Sequence, residues 1–189
     1  MALFGVLRRS ELVALLWSDI DFEQMTVNIT KSTCVANGKP ITKPPKNKTS
    51  ERVVSLPGHI MTMLEEYRTE YLKYKQSIGS KWQQSADNAE YLFISWNGTQ
   101  IYPATPYRVF KRILQAYNTE HEEKLPLITL HGLRHTSATL LIGENIDIKT
   151  VSIRLGHAQT STTMNIYSHA LQKLDRKAAD ALENLLQKH

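Results

Sequence analysis

The stretch from Leu130 to Tyr167, LHGLRHTSATLLIGENIDIKTVSIRLGHAQTSTTMNIY, constrains this chain more than any other. Apolar residues recur in it at helical spacing. They surround four side chains able to hydrogen-bond, donate or attack: His131, Arg134, His157 and Tyr167. Arg134 follows His131 by three residues, so both leave nearly the same face of one helix. The segment IDIKTVSIRLGHA reads as a second helix that runs out at Gly156, leaving His157 on a turn where its ring can aim inward. Tyr167 closes a Thr-rich segment instead of sitting in an apolar run. Singly, such residues are ordinary core or surface side chains. As a set, two imidazoles, a guanidinium and a phenol suggest charge stabilisation plus an oxygen nucleophile.

The 189 residues suit one domain with its own core. An excess of five positive charges favours a polyanionic partner. The single cysteine, Cys34, excludes a disulfide within the chain and removes any need for an oxidising compartment. No apolar run approaches the roughly 18 residues of a membrane span. The start, MALFGVLRR, has no basic leader before its apolar part. The expected location is therefore cytoplasmic, with no membrane partner.

Taken in order, Met1 to Leu16 reads as a helix with Leu3, Leu7, Leu12 and Leu15 on its apolar face, ended by Trp17 to Asp21. Trp17 is assigned to the core. Met25 to Val35 reads as a strand, Asn37-Gly38 as a hairpin turn, and Pro40–Lys43 and Arg52–Leu56 as two more strands. The polar turn between them carries Lys46 and Lys48, either as a solvated loop or as a hairpin that delivers an ammonium into a site. Pro57 opens a helix to about Lys75 that uses Ile60, Met63, Leu64, Tyr67 and Tyr71. Gln76 to Asn88 is a polar loop, and Asn97-Gly98 a second turn in a short hairpin. Thr105-Pro106 starts a helix that buries Phe110, Ile113, Leu114 and Tyr117 and shows Arg108, Lys111 and Arg112 on its other side. That basic face suits either a phosphate backbone or plain solvent. A last helix, 170–189, carries the stripe Leu171, Leu174, Ala178, Leu182 and Leu185, and closes the core or docks on another copy.

Three blocks of this chain resemble the tyrosine recombinase (phage-type integrase) family, in its catalytic domain. Leu7-Arg-Arg-Ser-Glu-Leu12 is similar to the family's arginine-x-x-glutamate block. His131-Gly-Leu-Arg-His135 is similar to its His-x-x-Arg block. Leu155-Gly-His157 followed by Tyr167 is like its Leu-Gly-His and nucleophilic tyrosine. The order and spacing match over essentially the whole chain. One departure precedes the first block, where Gly5-Val6 stands for the Thr-Gly the family often has.

The resemblance implies an α+β fold: a mainly helical domain with a small antiparallel sheet of about three strands. It implies Arg8 and Arg134 as the catalytic arginines, His131 and His157 as the histidine positions, Tyr167 as nucleophile and Glu11 as support for Arg8. Lys46 is the preferred lysine, with Lys48 the alternative or a DNA contact beside Arg108, Lys111 and Arg112. Two guanidiniums can grip the non-bridging oxygens of a phosphodiester under attack, so neither a metal nor ATP is implied. Tyr167 would hold the DNA end as a 3′-phosphotyrosine that a second end attacks. The implied partners are double-stranded DNA and further copies of the chain, as a tetramer on DNA through the C-terminal helix. Because Arg8 arrives so early, residues 1–189 are expected to be the catalytic half of a longer integrase, without its N-terminal DNA-binding domain and weak in DNA binding. Three rivals use the same residues. A non-catalytic helix-turn-helix regulator would use Ile146–Tyr167. A metal-dependent hydrolase would use His131, His135, His157 and His169, but it lacks the acid of a zinc-protease motif. A topoisomerase would differ mainly in assembly.

Overall fold

The structure is a computed structural model and describes residues 1–45, 50–83 and 88–167, together with Asp175, Ala179, Asp180 and Glu183. Among these residues no helix is long and apolar enough to cross a membrane. Helices dominate: α1 (Arg9–Ala14), α2 (Gly58–Ile78), α3 (Thr105–Glu120), α4 (Leu130–Gly143), α5 (Ile148–Leu155) and α6 (Thr160–Ile166). Five short strands accompany them: β1 (Ile20–Asp21), β2 (Thr26–Ile29), β3 (Ser32–Ala36), β4 (Lys39–Lys43) and β5 (Arg52–Ser55). The α+β class with a small antiparallel sheet is what the sequence led us to expect.

The β-rich stretch is divided differently from the expected single run. β2 and β3 are separate strands in separate sheets. The antiparallel sheet β1-β2-β5 pairs Val27 with both Ile20 and Val54. Val27, Ile29 and Val54 face the core from it, each at most 1% exposed. The chain then leaves this sheet at Thr30-Lys31 and forms the β3-β4 hairpin by itself. Asn37 and Gly38 make its turn, both with positive φ (49° and 73°), as a two-residue hairpin turn demands.

The first helix is shorter than its apolar pattern. Only Arg9–Ala14 is helical, because Val6 sits at φ 53° and Arg8 is extended, so no helix can propagate through them. Helix α2 runs past Lys75 to Ile78 and buries Ile60, Met61, Leu64 and Tyr71, while Met63 faces solvent. Trp17 packs between Tyr67 and Tyr71 in the main core, which also holds Leu12, Leu15 and Leu92. Helix α3 meets the domain along a narrower line than its pattern suggests. Leu114 alone on it is buried, and Ile113 is mostly exposed. Phe110, Val109 and Ile113 instead rim an open apolar groove against Leu12, Tyr67 and Phe93.

A second, smaller core joins the segments that carry Arg134, His157 and Tyr167. Val6, Ala138, Ile142, Val151, Leu155 and the Tyr167 ring pack together there. Asp147 caps α5 by accepting from the Thr150 N–H at 2.9 Å, and Thr129 caps α4 by accepting from Gly132 at 3.0 Å. The expected C-terminal helix 170–189 lies outside the described residues except for Asp175, Ala179, Asp180 and Glu183, which are helical.

Candidate active site

Arg134 projects from the buried face of α4 and is 2% exposed. Its Nη1 donates to the Val6 carbonyl and its Nη2 to the Leu155 carbonyl. One side chain thus joins the approach to α1, the start of α4 and the end of α5. Burial lowers its pKa most, with the Arg8 charge next, to about 9, which leaves it charged at neutral pH. A guanidinium has five N–H donors. The donors beyond these two have no acceptor among the described residues.

Val6 explains part of the local geometry. It is a fully buried β-branched residue in the left-handed region, a conformation that costs on the order of 1–3 kcal/mol. It occupies the position before Leu7 where a glycine would adopt that φ without strain. The turn aims the Val6 carbonyl at Arg134.

Arg8 is the residue before α1. Glu11, one turn on, accepts from the Arg8 backbone N–H at 2.8 Å and from its Nη1 at 2.7 Å. Arg8 Nη2 also donates to the Gly156 carbonyl at 3.2 Å. The Arg8 side chain remains about one-third exposed, so its head can still meet a ligand. Glu11 is held on its other side by Arg52, the first residue of β5. Arg52 Nη1 and Nη2 reach the two Glu11 oxygens at 3.1 and 2.9 Å. Burial raises the Glu11 pKa, but the bonds and charges of Arg52 and Arg8 together outweigh it and hold the carboxyl below its usual range.

The turn after α5 follows from its glycine. Gly156 takes φ 61° and ψ 43°, and the chain closes with Gly156 N–H to Ile153 O at 2.8 Å and His157 N–H to Ser152 O at 3.1 Å. This is the Schellman closure that left-handed residues permit. A Cβ on Gly156 would also lie 2.9 Å from Arg52 Nη1. The turn leaves His157 half-buried, with Nδ1 2.9 Å from the Thr163 Oγ1 of α6. Burial first, then Arg134, Arg8, Arg52 and His135, push the His157 pKa down to about 4. Its ring is neutral at pH 7.

Tyr167 follows α6 directly and is 5% exposed. Its hydroxyl lies 2.9 Å from His135 Nδ1. Burial raises the phenol pKa and Arg134 works against that rise. Burial, His131 and Arg134 lower the pKa of His135, which keeps its ring neutral and able to accept a hydrogen bond from the phenol but makes it a weaker base. His131 is exposed and sits edge-on to His135 with ring centroids 4.5 Å apart. A cavity of about 390 Å³ opens beside it, lined by Arg9, Tyr107, Thr129, Leu130 and His131.

Of the residues singled out in the sequence, Arg8, Glu11, Arg134, His157 and Tyr167 belong to one connected region, with His131 at its rim. Arg108, Lys111 and Arg112 are exposed on α3, and among the described residues no hydrogen bond or ion pair joins them to that region. Lys46 and Lys48 lie outside the described residues. Two participants escaped sequence reasoning. His135 carries a signal, four residues after His131 on one helix face, but that spacing by itself points to a metal ligand. Arg52 carried none, since its partner Glu11 is 41 positions away.

A mixed α+β domain with this arginine, histidine and tyrosine cluster has a known counterpart. The chain belongs to the phage integrase family, whose pattern matches residues 1–173. It is 32% identical to a tyrosine recombinase XerC-like protein of Caldanaerobacter subterraneus subsp. tengcongensis, over 96% of this chain and 47% of that protein. It is 31% identical to the ICEBs1 integrase of Bacillus subtilis, over 95% of this chain and 46% of that one. The chain therefore spans about half the length of these curated relatives. Among solved structures, the Tn1549 transposon integrase in complex with transposon right end DNA aligns with a TM-score of 0.79 at 25% identity, covering 96% of this chain and 56% of that one. The XerA recombinase shares the fold, with a TM-score of 0.64 at 24% identity over 94% of this chain and 55% of that one.

Proposed function

We propose that this chain cleaves and rejoins double-stranded DNA at specific sites through a 3′-phosphotyrosine, as in the integration or excision of a phage or mobile element. The Tyr167 oxygen attacks the scissile phosphorus, the bond to the 5′ oxygen breaks, and the DNA 3′ end stays on the protein. Arg8 and Arg134 take the non-bridging oxygens with charge-assisted bonds. His157 and His131 donate to the same oxygens or move protons. His135, hydrogen-bonded to the Tyr167 hydroxyl, takes its proton as the phosphorus is attacked, and a lysine, Lys46 by preference over Lys48, protonates the leaving 5′ oxygen. The phosphotyrosine keeps the energy of the broken bond, so a second 5′ hydroxyl can attack it and reseal the strand.

On this reading residues 1–189 act as the catalytic unit. Arg108, Lys111, Arg112 and Lys48 follow the DNA backbone, and assembly on DNA into a tetramer uses the 170–189 segment. The observation that carries the reading is the tie of Arg8, Arg134, His157 and Tyr167 to one turn. Arg134 and Arg8 hold the Leu155 and Gly156 carbonyls, and His157 and Tyr167 flank α6. The relatives named above support the reaction class.

The test is a nicked suicide substrate built from the ends of the element that encodes the chain, read on denaturing gels. A covalent protein–DNA band is expected from the wild type and none from Tyr167→Phe, while both bind the duplex. A band that persists in Tyr167→Phe rejects Tyr167 as the nucleophile. Binding without any wild-type band favours a non-catalytic regulator.

A further inference from the structure

We infer that Arg52 is a positioning residue of the active site: by claiming Glu11, it keeps the charge of Arg8 available for the DNA phosphate. The inference rests on the proposed recombinase reading. Nothing in the sequence motifs includes Arg52, and its side chain, 2% exposed, has no route to a ligand. Yet its guanidinium makes four hydrogen bonds, as many as the Glu11 carboxylate accepts. It gives Nη1 and Nη2 to the Glu11 carboxylate at 3.1 and 2.9 Å, Nε to the Arg154 carbonyl at 2.8 Å, and Nη1 again to the Ser50 carbonyl at 3.0 Å. Gly156 packs so close that any side chain there would strike it. One guanidinium thus braces α1, the turn that presents His157, and the residues that lead into β5.

The charge arrangement gives this brace a catalytic consequence. Glu11 faces two guanidiniums, one buried (Arg52) and one partly open (Arg8). With Arg52 present, the cluster of two cations and one anion keeps an excess positive charge, and its outlet is Arg8. Without Arg52, Arg8 and Glu11 form a closed neutral pair. An arginine already neutralised by a carboxylate gains less from a phosphate and is held back toward Glu11. Arg52 also sits where the Arg8 and Gly156 contact is made, so losing it loosens the turn that carries His157. A surface arginine could not do this, because solvent would screen its hold on Glu11.

The experiment compares wild type, Arg52→Met and Arg52→Lys on the nicked suicide substrate at saturating DNA. It is run below the melting temperature of every variant as measured by circular dichroism. A second substrate carries a methylphosphonate at the scissile position, where the anion that Arg8 would neutralise is absent. On the phosphodiester, Arg52→Met is expected to cleave about tenfold to a hundredfold more slowly, by analogy with the loss of residues that orient metal ligands. Arg52→Lys, which keeps the charge without the fork, should recover most of that loss. On the methylphosphonate, the gap between Arg52→Met and wild type should shrink to within about threefold. An equal defect on both substrates would make Arg52 a purely structural brace and overturn the inference, as would unchanged cleavage by Arg52→Met. Failure of the wild type to cleave the phosphodiester while it demonstrably binds the duplex counts against the recombinase reading itself and not against the role of Arg52.

Discussion

Replacing Glu11 by Gln should be among the most destabilising changes of similar shape in this domain. The Glu11 carboxylate is 4% exposed and accepts four bonds, from Arg52 Nη1 and Nη2, from the Arg8 backbone N–H and from Arg8 Nη1. Glutamine keeps the volume but removes the charge and turns one acceptor oxygen into a donor facing a donor. Arg52 is then a buried cation without a counter-charge. Removing one partner of a buried ion pair costs about 3–5 kcal/mol. A domain of this size loses about 2–4 °C of melting temperature per kcal/mol, so the expected drop is about 6–20 °C at pH 7. The pH dependence has a definite sign. The folded-state Glu11 pKa is lowered below its ordinary 4.5, so its stabilising contribution is present above that value and is lost as pH falls through the folded pKa. The gap between wild type and Glu11→Gln should therefore narrow in acid. Thermal melts followed by circular dichroism at pH 7 and in steps toward about pH 3 measure it. A drop under about 2 °C at pH 7, or a gap that widens in acid, would refute the reasoning. The double change Glu11→Leu with Arg52→Met removes both charges together and should melt closer to wild type than Glu11→Gln does.

Other perturbations test separate parts of the site. Gly156→Ala forces a Cβ into the left-handed region and against Arg52, so a loss of at least about 1 kcal/mol in urea unfolding is expected; neutrality would mean the turn relaxes freely. His157 should titrate near 4 by NMR in the free protein. Because that value lies below the ordinary 6.5, stability should fall as pH drops from about 6.5 toward 4, and a measured pKa at or above 6.5 would contradict its burial. Tyr167→Phe loses the bond to His135 and should cost about 0.5–1.5 kcal/mol of stability, with DNA affinity unchanged. Replacing Arg108, Lys111 and Arg112 together by Gln should flatten the salt dependence of duplex binding by up to about 0.9 log units per lost phosphate contact, and an unchanged slope would leave α3 off the DNA.

Much of the site was legible because its signals are local. The helical periodicity of Leu130–Gly143, the glycine that ends α5 and the Asn37-Gly38 turn each express a rule acting over a few residues, and each is found where expected. What was not legible depends on distant partners or on backbone strain. The apolar spacing of Met1–Leu16 predicts a helix, but the left-handed Val6 stops it, and that conformation is fixed by the Arg134 bond and core packing more than 100 positions away. The break between β2 and β3 at Thr30-Lys31 has no turn signal, since both sides read as strand. Ile113 and Phe110 match a buried stripe, but burial depends on what covers the stripe, and α3 offers its apolar side to an open groove. Arg52 stands at the start of a strand, where an arginine ordinarily faces solvent; only the tertiary position of Glu11 makes it a buried partner.

The central claim is that Tyr167 forms the covalent bond to DNA, and one measurement addresses it directly. After reaction with the nicked substrate, nuclease and trypsin digestion leave a nucleotide remnant on a single peptide, read by tandem mass spectrometry. Trypsin releases residues 155–173 as one fragment, in which Tyr167 is the only tyrosine. The account predicts a 3′-linked nucleotide mass on Tyr167 in the wild type and no modified peptide in Tyr167→Phe. A remnant on any other residue, or one that survives in Tyr167→Phe, would contradict it.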